Sequence, residues 1–85
     1  MCKEIIMDVH DMQPPEPLDV AMKGLESLKH GEYIRMIHRM QPHPLYEILL
    51  DNGFRYKVTT GERGFDIYIW FAKDKKTGDF VKTLI

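Results

Sequence analysis

The run Phe65-Asp66-Ile67-Tyr68-Ile69-Trp70-Phe71-Ala72 carries large apolar side chains on both sides of a two-residue period. Phe65, Ile67, Ile69 and Phe71 share one face, and Tyr68, Trp70 and Ala72 line the other, with Asp66 the polar interruption. A strand that is apolar on both faces belongs in the middle of a sheet. The rest of the chain has to be arranged around it.

Phe54 to Thr59 supplies the neighbouring strand, with Phe54, Tyr56 and Val58 opposite Arg55 and Lys57, and the turn Thr60-Gly61-Glu62-Arg63-Gly64 joins the two runs into a hairpin. Earlier in the chain, Glu4 to Val9 and Tyr33 to His38 alternate with the same period and read as strands. Between them Leu18, Ala21, Met22, Leu25 and Leu28 recur at helical spacing, predicting an amphipathic helix that ends near His30-Gly31. A second, short helix follows from Leu45, Ile48 and Leu49, stopped by Asn52-Gly53. The predicted fold is an α/β (α+β) two-layer sandwich of order β-α-β-α-β-β, a four-stranded mixed sheet with two helices on one face. The opposite sheet face is expected to be open. The tail from Asp74 to Ile85 is charged at first and then apolar at Phe80, Val81, Leu84 and Ile85, which leaves open whether it docks as a small extra element or remains mobile.

With 85 residues the chain forms a single domain, residues 1–85, with a core over about 4–73, because a second core would need about another hundred residues. A net charge of −1 gives no electrostatic reason to expect DNA or an anionic membrane. The apolar runs are far shorter than the roughly 20 residues a spanning helix needs. One cysteine, Cys2, excludes an internal disulfide and fits a reducing compartment, so the cytoplasm is the expected location. At a chain end, Cys2 is read as an incidental exposed thiol.

The stretch Met7-Asp8-Val9-His10-Asp11-Met12-Gln13-Pro14-Pro15-Glu16-Pro17-Leu18, followed by a helix, Leu28-Lys29-His30-Gly31-Glu32 and a strand, resembles the TusA/SirA-like family of sulfur-carrier domains. That family places a Cys-Pro-x-Pro motif between its first strand and first helix. The matching positions here are Pro14, Pro15, Glu16 and Pro17, so a proline stands where the resemblance implies a persulfide-carrying cysteine. A thiol there would gain thiolate character from the helix N-terminus, and proline offers no such group. The sequence is more similar to an uncharacterised bacterial domain-of-unknown-function subfamily in which Pro-Pro-x-Pro replaces the cysteine motif and a Pro-x-Pro-Leu segment, here Pro42-His43-Pro44-Leu45, opens the second helix. Without a thiol at that position, the chain is read as a non-enzymatic binding or accessory module that acts through the proline-flanked loop edge or the open sheet face. The alternative is a sulfur-relay or redox-linked protein that acts with a partner.

Two sets of side chains qualify as binding candidates. His10 and His38 close parallel strands on one sheet edge, and His43, Met12 and Met40 lie in loops leaving that edge. Three imidazoles and two thioethers are a ligand set for copper or haem, although the pattern requires no cofactor and the competing reading is of solvated loop histidines and a core-facing His38. The second set is the open sheet face, where Ile6, Arg35, Ile37, Arg55, Lys57, Tyr68 and Trp70 mix aromatic and cationic surface. Such a face suits a protein partner or homodimer, or single-stranded RNA, and the net charge of −1 favours protein.

Overall fold

The strand pairings place Ile69 between Ile34 on one side and Tyr56 on the other, so the two-faced apolar strand lies inside the sheet. In the computed structural model, which describes residues 2–85, the strands are β1 (Lys3–Asp8), β2 (Glu32–His38), β3 (Phe54–Gly61) and β4 (Gly64–Phe71), arranged β1-β2-β4-β3. β1 and β2 are parallel, in register through Ile5 with Ile34 and Met7 with Met36. β4 runs against both of its neighbours. The predicted four-stranded mixed sheet is therefore the observed one.

Helices α1 (Glu16–Ser27) and α2 (His43–Asp51) cover one face. Ala21, Leu25, Leu45 and Leu49 meet Met7, Ile34, Met36, Ile67 and Ile69 there in the main core. Each fully buried aliphatic side chain of this size contributes about 1.5–3 kcal/mol. Glu16 and Asp19 sit in the first turn of α1, where carboxylates complement the helix dipole. The helix ends at Ser27, short of the predicted His30-Gly31, because Leu28 turns to extended backbone and buries its side chain in the core. Gly31, at φ 88°, serves the following Lys29–Glu32 turn instead, in which Glu32 N–H donates to Lys29 O at 3.0 Å. Met22, at helical spacing with the core residues, is exposed.

The tail forms a third helix, α3 (Lys75–Leu84), on the sheet face opposite α1 and α2. Val81 is fully buried there against a second cluster of Tyr33, Tyr68 and Trp70. Asp74 anchors the helix. Its carboxylate accepts from Thr77 N–H (3.3 Å), from the Thr77 hydroxyl (2.7 Å) and from Gly31 N–H (2.6 Å), tying α3 to the turn before β2. The expectation of an open face is thus corrected for the half of the sheet that α3 covers.

The β3–β4 turn is tighter than the sequence suggests, with Gly61 paired to Gly64 across the two residues Glu62 and Arg63. Gly64 has φ 129°, and a Cβ built on it would lie 2.6 Å from the carbonyl oxygen of His38. Only glycine lets this turn close against the end of β2.

Candidate functional site

Both parallel crossovers leave the same end of the sheet, and both open with proline. Beyond β1, Val9 N–H still donates to Ile37 O (3.0 Å), and the chain then turns, with Met12 N–H on Val9 O (3.1 Å) and Glu16 N–H on Gln13 O (3.0 Å), into α1. The Pro14-Pro15 bond is cis. Beyond β2, the segment 39–42 leads to α2, whose first turn is set by Leu45 N–H on Pro42 O (2.9 Å). Arg39 donates to the side chain of Gln13 (3.3 Å) and bridges the two loops.

Between these loops lies a cavity of about 280 Å³. All five prolines of the chain, Pro14, Pro15, Pro17, Pro42 and Pro44, line it. Leu18, Met36, Met40 and Leu45 complete an apolar wall, and His38 and Gln41 supply the polar side-chain atoms. Proline fixes φ and has no amide hydrogen, so the walls are stiff and offer no backbone donor at five positions.

His38 is 8% exposed. Its Nδ1 accepts the Met40 backbone N–H at 3.1 Å. Since an amide can only donate, the proton of the neutral ring sits on Nε2. Burial, together with the positive charges of Arg39 and His10, lowers the His38 pKa, so the ring is neutral at pH 7. Gln41 Oε1 accepts the Tyr46 hydroxyl (3.2 Å), leaving its NH₂ group as the unused end. Tyr46 is itself fixed by stacking on Tyr56, with centroids 4.3 Å apart, and burial beside Tyr56 raises its pKa, so it stays a donor.

Of the other predicted ligands, only Met40 lines the cavity with His38. His10 lies against Asp11 (3.0 Å), His43 is an exposed residue of α2 packed edge-on to Tyr46, and Met12 packs on the core. Among the described residues, no three His, Cys, Asp or Glu side chains gather as a metal-holding group. The three-imidazole set is corrected accordingly: the loop after β1 turns His10 toward its neighbour Asp11, and α2 carries His43 outward. Met40 does line the cavity beside His38. Glu16 points away, exposed, while its proline neighbours form the wall.

On the opposite face, Tyr68 (8% exposed) and Trp70 (6%) lie under α3, so neither is free to stack a base or anchor a partner. Burial, and the Glu4 carboxylate that accepts its hydroxyl, push Tyr33 in the same cluster up to about 12. Arg35 pairs with Asp66 at 3.2 Å, and Arg63 with Asp8 at 2.8 Å, around a depression also lined by Ile37. Arg55 and Lys57 are exposed on the edge strand β3. Cys2 is half-buried beside α3, its thiol donating to the Thr77 hydroxyl at 3.6 Å, and is not the loose exposed thiol expected. It lies where β1 begins, at the opposite end of the strand from the proline cavity.

The model of a family of uncharacterized conserved proteins, DUF2249, matches residues 6–73. The chain belongs to the DUF2249 family. The matched DUF2249 residues contain both proline loops and the whole cavity, while α3 lies beyond them. No curated protein and no solved structure matches the chain. Among the described residues, no helix is long and apolar enough to cross a membrane.

Sequence reasoning missed Gln41, Leu18 and Leu45 as wall residues, and Pro42 and Pro44 entered only through a resemblance. The available signal was the confinement of all five prolines to the two loops leaving one sheet edge and the first turns of the helices they open.

Proposed function

We propose that this DUF2249 chain is a non-enzymatic binding module that takes up a small apolar molecule in its proline-walled cavity. The observation that carries this reading is the convergence of all five prolines on one cavity of about 280 Å³ with a buried, neutral histidine in its wall. Ligand sites are typically apolar, largely pre-formed and furnished with a few polar groups, and rigid walls keep the entropy cost of binding low. The resemblance to TusA/SirA-like carriers supports the same conclusion, since Pro14 occupies the position of their reactive cysteine. Cys2 sits at the other end of β1, hydrogen-bonded beneath α3, which argues against a sulfur relay through this cavity. The single half-buried thiol accords with a cytoplasmic setting.

The cavity is a better site than the sheet face. The aromatic residues that would stack on RNA or bury in a partner lie under α3, and Arg35 and Arg63 are already paired with carboxylates.

Titration with the uncharged two-ring fluorophore 2-methoxynaphthalene tests the proposal. One saturable site is expected, and Met40→Trp, which fills the mouth from an exposed position, should abolish it. Absence of saturable uptake by the parent chain, or uptake unaffected by Met40→Trp, would overturn the reading.

A further inference from the structure

The chemistry of the cavity narrows what it can hold. An apolar cavity of about 150 Å³ accommodates benzene. One of about 280 Å³ has room for a one- to two-ring molecule. No Asp, Glu, Lys or Arg lines it, so a charged ligand would be desolvated without a counter-ion, at a cost that binding could not recover.

The side-chain groups of the lining that have no partner are donors. His38 Nδ1 is occupied by the Met40 amide, which leaves Nε2–H as the ring's available group. Nε2 has no partner among the described residues and, unlike Arg35 Nε, is not sealed from the surface. Gln41 Oε1 accepts from Tyr46, and its NH₂ group is uncommitted. The proline nitrogens donate nothing. Two donor groups of the lining, His38 Nε2–H and the Gln41 NH₂, are therefore uncommitted, and no carboxylate stands beside them. A carbonyl oxygen placed in the cavity would be matched by these donors.

Resting on the cavity reading above, we infer that the ligand is an uncharged carbonyl compound of one or two rings, its oxygen accepting from Nε2–H of His38 while the ring body packs between the two proline loops. His38 thereby sets specificity, and the prolines and leucines set size.

Three molecules of matched shape separate this inference from the reading beneath it: 2-acetylnaphthalene, its isostere 2-isopropenylnaphthalene, in which CH₂ replaces the carbonyl oxygen, and the anion 2-naphthoate. Each is titrated in competition with 2-methoxynaphthalene. The ketone should bind about tenfold more tightly than the hydrocarbon, the difference one well-made hydrogen bond from a partly buried donor provides. Naphthoate should bind at least as weakly as the hydrocarbon. His38→Phe should retain hydrocarbon binding and lose the ketone preference. Because that variant also deprives the Met40 amide of its acceptor, a second measurement uses the parent chain. The Nε2 proton resonance of His38 should move downfield when the ketone binds and should not do so with the hydrocarbon. Equal affinities for ketone and hydrocarbon, tight naphthoate binding, or an unmoved Nε2 proton would each overturn the carbonyl assignment while leaving the cavity reading standing. Failure of all three molecules to compete would overturn both.

Discussion

Gly78 of α3 lies directly against the indole of Trp70, so close that a Cβ built on the glycine would stand 2.6 Å from Nε1 and 3.2 Å from Cδ1. The contact lets α3 settle onto the sheet with Val81 fully buried. Local propensity and tertiary contact pull in opposite directions here. On an exposed helix, Gly→Ala gains about 1 kcal/mol. Against a rigid indole the added methyl must displace either ring or helix, an overpacking cost of about 1–3 kcal/mol.

Gly78→Ala is therefore expected to destabilise the chain, with Trp70 emission shifting to longer wavelength as α3 lifts. Gly24→Ala in α1 is the control, because the atom its Cβ would meet is the terminal methyl of Met7, the end of a flexible thioether. That variant should be neutral or up to about 1 kcal/mol more stable. Denaturant midpoints with Trp70 fluorescence decide the matter. A Gly78→Ala chain as stable as its parent, with unshifted emission, would show that the α3 contact is not close.

Asp74 should matter for the same helix by a different route. Its carboxylate serves Thr77 as an N-cap and reaches across to Gly31 N–H at 2.6 Å. Losing a cap of this type costs about 0.5–2 kcal/mol. Asp74→Ala also strands the Gly31 amide, so the upper half of that range is expected. The backbone hydrogen bond from Gly31, then those from Thr77, hold the Asp74 carboxyl below its ordinary 3.8. A depressed acid contributes stability above its unfolded pKa and loses it as pH falls through the folded value. Trp70 emission should accordingly redden below about pH 4 in the parent and be red already at neutral pH in Asp74→Ala.

The strands were legible in the sequence because each keeps its period, and Phe65 to Phe71 disclosed its central place by being apolar on both faces. That same pattern required a cover on each face. The cover was harder to see, since Lys75-Lys76-Thr77-Gly78-Asp79 combines charge with a poor helix former, and α3 owes its helicity to the Asp74 cap and the fit of Gly78 on Trp70. At the candidate site, the residues on strands, such as His38, could be placed from alternation alone. The loop residues could not. Whether His10 and His43 turn toward His38 depends on hydrogen bonds such as His10 with Asp11, which no periodicity encodes.

Arg35 and Asp66 form a half-enclosed ion pair at 3.2 Å, with side chains 34% and 14% exposed, and Arg35 Nε buried without a partner. The pair lies between the exposed case, worth about 0.2–1 kcal/mol, and the buried case, where loss of one member costs about 3–5 kcal/mol. Asp66→Asn should cost about 1–2 kcal/mol on that scale. Arg35→Met removes the unpartnered nitrogen together with the charge, so the double variant should be less destabilised than the two single changes added together. Additive effects in the cycle would mean that the pair contributes nothing beyond its separate contacts.

His38 gives the fold a pH dependence whose sign is set by burial. Desolvation first, then Arg39 and His10, lower its pKa from 6.5, so the folded chain holds the ring neutral while the unfolded chain protonates it near 6.5. Below that value the unfolded state binds more protons, and stability therefore falls as pH falls from about 7, levelling off once the folded ring also titrates. This is opposite to the behaviour of a histidine that gains an anionic partner. Protonation would also put a hydrogen on Nδ1, where the Met40 amide now donates, so the loop after β2 should loosen over the same interval. The expected result is an unfolding free energy that declines between pH 7 and 5 in the parent and declines less in His38→Phe. The limb should be separate from the one below pH 4, where Asp8 and Asp74, both held under 3.8, become protonated. A parent chain whose stability is flat across this interval, or whose decline is unchanged in His38→Phe, would mean that His38 is not held neutral and enclosed in the fold.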